Sequence, residues 1–315
     1  MIRRLGFTAA TLALALVGGG SAVAADDTEL RYSPLGPASG PAALSVLDVA
    51  HRGASGYAPE NTLAAIDAAK VRGATTVEID VQRTKDGELV VFHDTTLERT
   101  TDAEEVFPGR GSYDVADFTL EEIRSLDAGS WFAPAFEGER VPTFQEALDR
   151  LRKHGLNLLL EIKAPVLYPG IEADISETLA RNPAWLVPVG KRGKHRLVIQ
   201  SFDWASVERS HDLLPTIPHG LLGQVPESEI DGYAEWADQI NPSHKTLTAD
   251  YVDAVHDEGM AVVTYTVNDA DAMRTALDKG VDGLITDYPD IARQVIREYE
   301  RSEAAEAAEA AGAAA

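Results

Sequence analysis

Residues 76–94 read TVEIDVQRTKDGELVVFHD, and the fold of the whole chain can be worked out from this stretch. After Thr76, apolar and polar residues alternate in the order Val77, Glu78, Ile79, Asp80, Val81 and Gln82. An alternation with a period of two predicts a β-strand with one apolar and one polar face. Glu78 and Asp80 therefore lie on the same face of this strand.

The second half of the stretch predicts a hairpin. Asp86-Gly87 is typical of a tight turn, and residues 89–92 form a second β-rich run that leads into His93. Two carboxylates about 6 Å apart, at an effective dielectric constant near 20, repel by about 3 kcal/mol. The strand alone leaves two interpretations of Glu78 and Asp80 open, a solvated edge strand and a metal site.

Composition limits the class of protein. The chain has 315 residues, of which 44% are hydrophobic, and this is enough for one α/β barrel or for two small domains. Its formal charge is −23, from 51 acidic and 28 basic residues, which argues against nucleic acid and anionic membranes as partners. The absence of cysteine excludes disulfides, zinc–thiolate sites and thiol nucleophiles.

The N-terminal region, residues 1–24, has the features of a signal peptide. Arg3 and Arg4 form a basic region, residues 7–17 are apolar, and Ala22-Val23-Ala24 is a small-residue cleavage site. We therefore expect an exported protein, secreted or periplasmic or cell-surface, that is soluble and has no stable membrane anchor after cleavage. An uncleaved anchor is the alternative. Export by the general or the twin-arginine route stays open.

The rest of the chain shows a repeating order of strands and helices. We predict eight parallel strands, ending at His51, Gln82, Ile162, Ser201, Leu222, Asn241, Tyr265 and Thr286. Helices are predicted at residues 63–72, 119–126, 142–153, 248–258, 269–279 and 291–301. This order predicts a TIM (β/α)8 barrel. A doubly wound open sheet is the alternative, but no glycine-rich phosphate loop follows any strand.

The predicted domain organisation follows from these elements. An extended lead-in at residues 25–44 precedes the barrel domain at residues 45–301, and an Ala/Glu-rich tail to which we assign no role occupies residues 302–315. The long irregular stretch at about residues 95–141, after the hairpin of the second strand, is predicted to be a small insertion.

Polar residues collect at the carboxyl ends of the predicted strands, where the active site of such a barrel lies. They are His51, Arg52, Glu78, Asp80, His93, Glu161, Lys163, Tyr265, Asn268 and Asp287. The three glutamate and aspartate side chains on the second and third strands provide only oxygen ligands, which favours one hard divalent cation, Ca²⁺ or Mg²⁺. Arg52 and Lys163 are placed to bind an anion, and a phosphate ester suits this set. His51 and His93 suit acid–base chemistry.

Each of these groups also has a purely structural interpretation. Glu161 and Lys163 would make an ordinary strand-end ion pair, and Arg52 would pair with Asp80. Taken together, however, so many polar groups at one end of an apolar barrel indicate a functional site. Three aromatic residues, Trp131, Phe202 and Tyr265, either line a substrate pocket or simply pack.

Several of these motifs together resemble the glycerophosphodiester phosphodiesterases. They are His51-Arg52-Gly53, Pro59-Glu60-Asn61-Thr62, Glu78-Ile79-Asp80-Val81, Asp86-Gly87, His93-Asp94, residues 126–132, Glu161-Ile162-Lys163, and residues 280–283 and 286–289. The resemblance runs from about residue 49 to residue 289. It implies a TIM barrel with a small inserted segment, a metal held by Glu78, Asp80 and Glu161, and a catalytic pair formed by His51 and His93. Tyr265 stands where the family usually has tryptophan, which bears on the preferred alcohol.

The family reaction implied by this resemblance cleaves a small-molecule glycerophosphodiester, such as glycerophosphocholine, into sn-glycerol 3-phosphate and an alcohol. The hypothesis is that His51 accepts the proton of the glycerol 2-hydroxyl and that His93 protonates the leaving group, through a cyclic phosphate. Two other functions stay open. One is a phospholipase-D-like lipid phosphodiesterase, which needs an apolar rim around the mouth, and the other is a non-catalytic surface binding protein on the same barrel.

Overall fold

A closed sheet of parallel strands forms the centre of the structure, a computed structural model that describes residues 46–189 and 194–313. Its strands are β1 Leu47–Ala50, β2 Thr76–Arg83, β3 Leu89–Val91, β4 Asn157–Ile162, β5 Leu197–Ser201, β6 His219–Leu222, β7 Gln239–Asn241, β8 Ala261–Thr264 and β9 Gly283–Thr286. β1 pairs in parallel with both β2 and β9, which closes the barrel, while β3 pairs with β2 antiparallel. The TIM barrel is confirmed, and the open-sheet alternative is excluded.

The helices surround this barrel. They are α1 Leu63–Val71, α2 Ala103–Val106, α3 Leu120–Ser125, α4 Phe144–His154, α5 Ile171–Ala180, α6 Trp204–Leu213, α7 Ile230–Tyr233, α8 Ala249–Asp257, α9 Ala270–Asp278 and α10 Pro289–Ala313. Most of the long ones begin where a side-chain oxygen accepts a hydrogen bond from the first turn, at Thr62, Thr143, Asp203, Thr248 and Asp269. Such caps explain why the predicted helix starts lie within two residues of the observed ones.

Both faces of the barrel strands are buried, but by different neighbours. Val77, Ile79 and Val81 of β2 pack in the cluster that includes α1 and α4. The alternate residue Glu78 is in register with Leu159 of β4, which belongs to the small apolar cluster inside the barrel. In-register residues of parallel neighbours face the same side of a sheet, so Glu78 points into the barrel. The predicted polar face of β2 is therefore an interior face rather than a solvated one.

The segment between β3 and α4 has a small core of its own. Ten buried residues form it: Val90, Phe92, Leu97, Ala103, Val115, Phe118, Ile123, Leu126, Ala128 and Val141. Because Val90 and Phe92 belong to the hairpin and the other residues to the segment, the segment packs directly on the hairpin strand that leads to His93. The long stretch predicted after the hairpin is thus an ordered structure beside the barrel mouth.

The structure describes the C-terminal tail but not the N-terminal residues. The predicted signal peptide and lead-in lie outside the described residues. At the other end, α10 runs on from the predicted 291–301 through the Ala/Glu-rich tail to Ala313, since alanine and glutamate are strong helix formers. Within the described residues, no helix has the length and apolar character needed to cross a bilayer.

His219 of β6 gives the fold a dependence on pH. Its ring is fully buried, with Nδ1 2.7 Å from the carbonyl oxygen of Ile217 and Nε2 3.0 Å from Oγ of Ser210. A neutral imidazole satisfies both contacts by donating at Nδ1 and accepting at Nε2. Burial lowers the pKa of His219 to about 4, from an ordinary value of 6.5.

We expect the free energy of unfolding to fall as the pH falls from 6.5 to about 4, because the unfolded chain binds the His219 proton first. The loss attributable to this residue amounts to about 3 kcal/mol when complete. In the His219→Gln variant the slope of stability against pH should be shallower over this range, whatever its stability at neutral pH. Urea unfolding at half-unit pH steps measures that slope, and an equal slope in the two proteins would contradict the prediction.

Candidate active site

Three carboxylates meet at the mouth of the barrel. Glu78 and Asp80 lie on β2 and Glu161 on the neighbouring β4, with Asp80 and Glu161 directly in register. One oxygen of each lies within 4.8 Å of the other two, and all three side chains are buried. The structure thus brings together the residues predicted from sequence as metal ligands.

The electrostatics of this cluster fit a divalent cation. Burial first, and then the charges of Asp80 and Glu161, raise the pKa of Glu78 well above its usual range, and burial with Asp80 raises that of Glu161 to about 7. Burial acts in the same sense on Asp80, but Lys163 and Arg52 outweigh it and lower its pKa. Oδ1 of Asp80 is buried and has no hydrogen-bond partner among the described residues. A bound cation would favour the ionised form of Glu78 and would take this oxygen of Asp80 as a ligand.

Two cationic side chains border the carboxylates. Nζ of Lys163 lies 2.9 Å from Oε1 of Glu161 and 3.4 Å from Oδ1 of Asp80. Nη1 of Arg52 lies 2.8 Å from Oε1 of Glu60, while its Nε, 3.6 Å from Oδ2 of Asp80, is buried without a hydrogen-bond partner in the described chain. Both ion pairs considered from sequence exist, and the Nε–H of Arg52 is still without a hydrogen-bond partner among the described residues.

The backbone around Arg52 is shaped for this arrangement. Arg52 has φ of 55°, in the left-handed region, and in this conformation its backbone N–H donates to Oε2 of Glu78 over 2.7 Å. Asn61 is also left-handed, with φ of 57°, and its amide donates to Oδ2 of Asp80 over 2.7 Å. Left-handed conformations cost free energy in residues with side chains. Here each one orients a carboxylate of the triad.

The two histidines predicted as catalytic share one arrangement. Nδ1 of His51 lies 2.6 Å from Oδ1 of Asp287, and Nδ1 of His93 lies 2.6 Å from Oδ1 of Asp94. Because a carboxylate accepts, each Nδ1–H donates, and this fixes the tautomer in which Nε2 carries the lone pair. No hydrogen bond to either Nε2 is present within residues 46–189 and 194–313. Each ring therefore has a nitrogen available for proton transfer.

Sequence reasoning named most of the residues that hold these groups but not the partners that they bind. Asp287 also accepts from Oγ of Ser55 over 2.9 Å and from the amide of Asn268 over 2.6 Å. Asn61 was named only as part of a motif, and the structure shows that its amide binds Asp80 while its neighbour Thr62 caps α1. The signal was present, because all but Ser55 belong to motifs or strand ends already identified. What those motifs lacked was an assigned partner.

A cavity of about 470 Å³ opens beside Lys163 and is lined by residues 161–166 and 201–203. Phe202 contributes to its wall and packs edge-on against Tyr265, with ring centroids 5.8 Å apart. Trp131, the third predicted pocket residue, lies in the inserted segment, packs on Phe132 and is not part of this lining. The structure therefore brings two of the three aromatic candidates together.

A family model, related sequences and a solved structure all relate this chain to the same family of phosphodiesterases. Residues 51–291 match the model of the glycerophosphoryl diester phosphodiesterase family. A glycerophosphodiester phosphodiesterase of Bacillus subtilis is 37% identical to this chain, and the match covers 81% of this chain and 87% of the relative. One from Caldanaerobacter subterraneus is 35% identical, and the match covers 81% of this chain and 99% of the relative. An Oleispira antarctica phosphodiesterase, solved with the product sn-glycerol-3-phosphate, superposes with a TM-score of 0.71 at 29% identity, over 81% and 97% of the two chains.

Proposed function

The chain belongs to the glycerophosphoryl diester phosphodiesterase family and is a phosphodiesterase of that class, and on this premise we propose that it hydrolyses glycerophosphodiesters to sn-glycerol 3-phosphate and an alcohol in a metal-dependent reaction. The observation that carries the proposal is the buried cluster of Glu78, Asp80 and Glu161 beside two histidines with matched carboxylate partners. The sn-glycerol-3-phosphate bound to the Oleispira relative supports the same product here.

The cation of this proposal is Ca²⁺ or Mg²⁺. Its ligands would be oxygens of Glu78, Asp80 and Glu161, and hard cations prefer such ligands. When bound, it would supply a positive charge that polarises a phosphoryl oxygen and offsets charge developing on phosphorus. Arg52 and Lys163, whose pKa values stay raised beside the carboxylates despite burial, add two fixed positive charges for the same phosphodiester.

The first step forms a cyclic phosphate. Nε2 of His51 accepts the proton of the glycerol 2-hydroxyl, and that oxygen forms a bond to phosphorus while the bond from phosphorus to the alcohol oxygen breaks. Nε2 of His93 donates its proton to the departing oxygen. Asp287 stabilises the imidazolium formed on His51, because its carboxylate lies 2.6 Å from Nδ1.

The second step opens the ring with the roles exchanged. His93, now neutral, accepts a proton from water, whose oxygen bonds to phosphorus as the bond from phosphorus to the glycerol 2-oxygen breaks. The imidazolium of His51 returns its proton to that oxygen. The products are sn-glycerol 3-phosphate and the free alcohol, and both histidines regain their starting states.

The pKa of His93 places a condition on this order of events. Burial, together with the charges of Arg52 and Lys163, lowers the pKa of His93 and so disfavours the protonated form that the first step needs. The charge of Asp80 and the hydrogen bond that His93 donates to Asp94 act in the opposite direction. The proposal therefore requires the bound phosphodiester anion to raise the pKa of His93, so that the ring is protonated when the leaving group departs.

We expect turnover of glycerophosphocholine, and of at least one other soluble glycerophosphodiester, in a coupled assay for sn-glycerol 3-phosphate. EDTA treatment should abolish turnover, because it removes the cation that the proposal assigns to Glu78, Asp80 and Glu161, and Mg²⁺ or Ca²⁺ should restore it. The ion that restores more activity identifies the preferred cation. Full activity after exhaustive chelation would refute the metal-dependent proposal.

One observation supports a second substrate class. Two residues that line the cavity beside Lys163, Val166 and Phe202, are 79% and 54% exposed, and the adjacent Leu167 is 49% exposed. Exposed apolar groups at an active-site mouth suit an apolar part of a substrate, as a phospholipase-D-like function needs. Assaying a single-chain lysophospholipid and an intact phospholipid beside glycerophosphocholine separates these functions.

We also propose that the protein is exported and acts outside the cytoplasm. The proposal is supported by the basic, apolar and small-residue regions within residues 1–24. N-terminal sequencing of protein recovered from the culture medium or the cell envelope tests it. A mature N-terminus near Ala25 is expected, and recovery of the intact Met1 chain in the cytoplasm would contradict it.

A further inference from the structure

Arg99 binds two carboxylates at once at the edge of the barrel mouth. Its Nε and Nη2 lie 2.5 and 3.0 Å from the two oxygens of Asp94. Its Nη1 and Nη2 lie 3.0 and 2.7 Å from the two oxygens of Glu60. The guanidinium thus makes four hydrogen bonds to two acids from different loops. Glu60 precedes α1, and Asp94 follows β3.

Each of these acids has a second partner inside the site. Asp94 accepts from Nδ1 of His93 over 2.6 Å, and Glu60 accepts from Nη1 of Arg52 over 2.8 Å. Within the described residues, Arg99 itself forms no hydrogen bond to His93 or Arg52. It is therefore one step removed from the proposed proton donor and from the proposed phosphate-binding guanidinium, and it is linked to both.

Charge explains why such a link is needed. Asp94 and Glu60 are two like charges that bind the same guanidinium, and their mutual repulsion would separate them without it. Hydrogen bonds from Arg99 and His93 overcome the effect of burial and lower the pKa of Asp94 to about 2. The hydrogen bonds and charges of Arg99 and Arg52 likewise outweigh burial and lower the pKa of Glu60. Both acids are thus held in the ionised, acceptor-only form that orients their inner partners.

The shape of the guanidinium matters as well as its charge. One rigid planar group donates all four hydrogen bonds. The guanidinium therefore fixes the two carboxylates relative to each other and also offsets their negative charge. A lysine ammonium at the same position carries the charge but lacks this fork. The side chain of Arg99 is 45% exposed, and an exposed ion pair adds little to global stability, so its role lies in local geometry.

We propose that Arg99 is a positioning residue that binds Asp94 and Glu60 as one unit and thereby sets His93 and Arg52 in register for the phosphodiester. The proposal rests on the phosphodiesterase function above. It also gives the inserted segment a part in the reaction, because Arg99 lies at the beginning of that segment.

The variants that test this proposal separate the charge of Arg99 from its planar shape, and its contact with Asp94 from its contact with Glu60. Arg99→Met should lower kcat about tenfold and raise KM severalfold, since it removes the contacts with both Asp94 and Glu60. Arg99→Lys should restore little of the lost activity. Asp94→Asn should act mainly on kcat, and Glu60→Gln mainly on KM. In the Asp94→Asn and Glu60→Gln double variant, adding Arg99→Met should cost little more, because coupled residues are not additive.

Arg110→Met is the matched control. Arg110 is another arginine of the inserted segment that binds one carboxylate, Glu122, through Nη1 over 2.7 Å, and it stacks 3.6 Å above Phe118. Its loss should loosen the segment without changing kcat or KM. An equal loss in Arg110→Met, full rescue by Arg99→Lys, or additive losses in the combined variant would overturn the proposal.

A binding measurement keeps this test separate from the proposed function. Calorimetric titration with sn-glycerol 3-phosphate needs no turnover, and Arg99→Met should weaken binding severalfold while Arg110→Met should not. If the wild-type protein binds the ligand but cleaves no diester, the proposed function fails while this arm still decides the role of Arg99. Equal affinity in the wild type and in Arg99→Met would overturn the role of Arg99 alone.

Discussion

Replacing Glu78 by glutamine is expected to lower kcat/KM by about 10²- to 10³-fold, with little effect on folding. Glutamine keeps the size of the side chain and an oxygen that can accept from the backbone N–H of Arg52, a contact that is 2.7 Å long in the native protein. It removes one of the three carboxylates that the proposal assigns to the cation. Steady-state kinetics with glycerophosphocholine, at saturating Mg²⁺ or Ca²⁺, measures the effect.

The metal-free stability of this variant provides an independent measurement. Burial and two neighbouring acids raise the pKa of Glu78, so an uncharged amide at that position should leave the metal-free protein as stable as the wild type or more so. The rise in melting temperature caused by Mg²⁺ or Ca²⁺ should become much smaller. Glu172→Gln is the control, since Glu172 is a buried glutamate that binds Ser206 and Arg209 away from the triad. An unchanged metal-induced shift in Glu78→Gln would show that Glu78 is not a ligand.

Replacing His51 or His93 by alanine is expected to lower kcat by about 10²- to 10⁴-fold, because each would remove one proton transfer from both steps. The double variant should be little worse than either single one, because the two rings act as a unit. KM and cation binding should change little, since neither ring belongs to the carboxylate cluster. Single-turnover and steady-state rates with the same diester measure these losses.

The matched control for the histidines is His154→Ala. His154 is 23% exposed against 19% for His51, and it also binds a carboxylate, that of Asp67, but through Nε2 rather than Nδ1 and on the outer helix α4. Its loss should leave kcat unaltered. Near-wild-type turnover in His51→Ala or His93→Ala would remove that histidine from the mechanism, and comparable losses in His154→Ala would mean that the assay reports stability rather than chemistry.

Much of the barrel could be predicted because its signals are local. A period of two within β2, short apolar runs for the other strands, and threonine or aspartate before the helices each involve neighbouring residues. These signals located each barrel strand to within about two residues. The predictions were weaker where the outcome depended on distant packing. Trp131 was grouped with Phe202 and Tyr265, but it packs on Phe132 within its own segment.

In the candidate site, the residues could be proposed from sequence, but their partners could not. Residue type and position at a strand end, together with the family resemblance, were enough to propose the acids, the cations and the two histidines. The partners of those residues were not predictable, since His51 and Asp287 are 236 positions apart and meet only when β1 and β9 close the barrel. Likewise, Arg99 joins Glu60 across 39 positions and Asp94 across five.

The sequence by itself determined the order of strands and helices and which residues carry ionisable groups at the strand ends, because both depend on short-range periodicity and side-chain chemistry. Only the tertiary structure decided that the polar face of β2 is an interior face, that one oxygen from each of three acids lies within 4.8 Å of the others, and that each histidine donates its Nδ1–H to a carboxylate. The physical reason is that burial, repulsion and hydrogen-bond geometry are properties of distances in space, and barrel closure sets those distances.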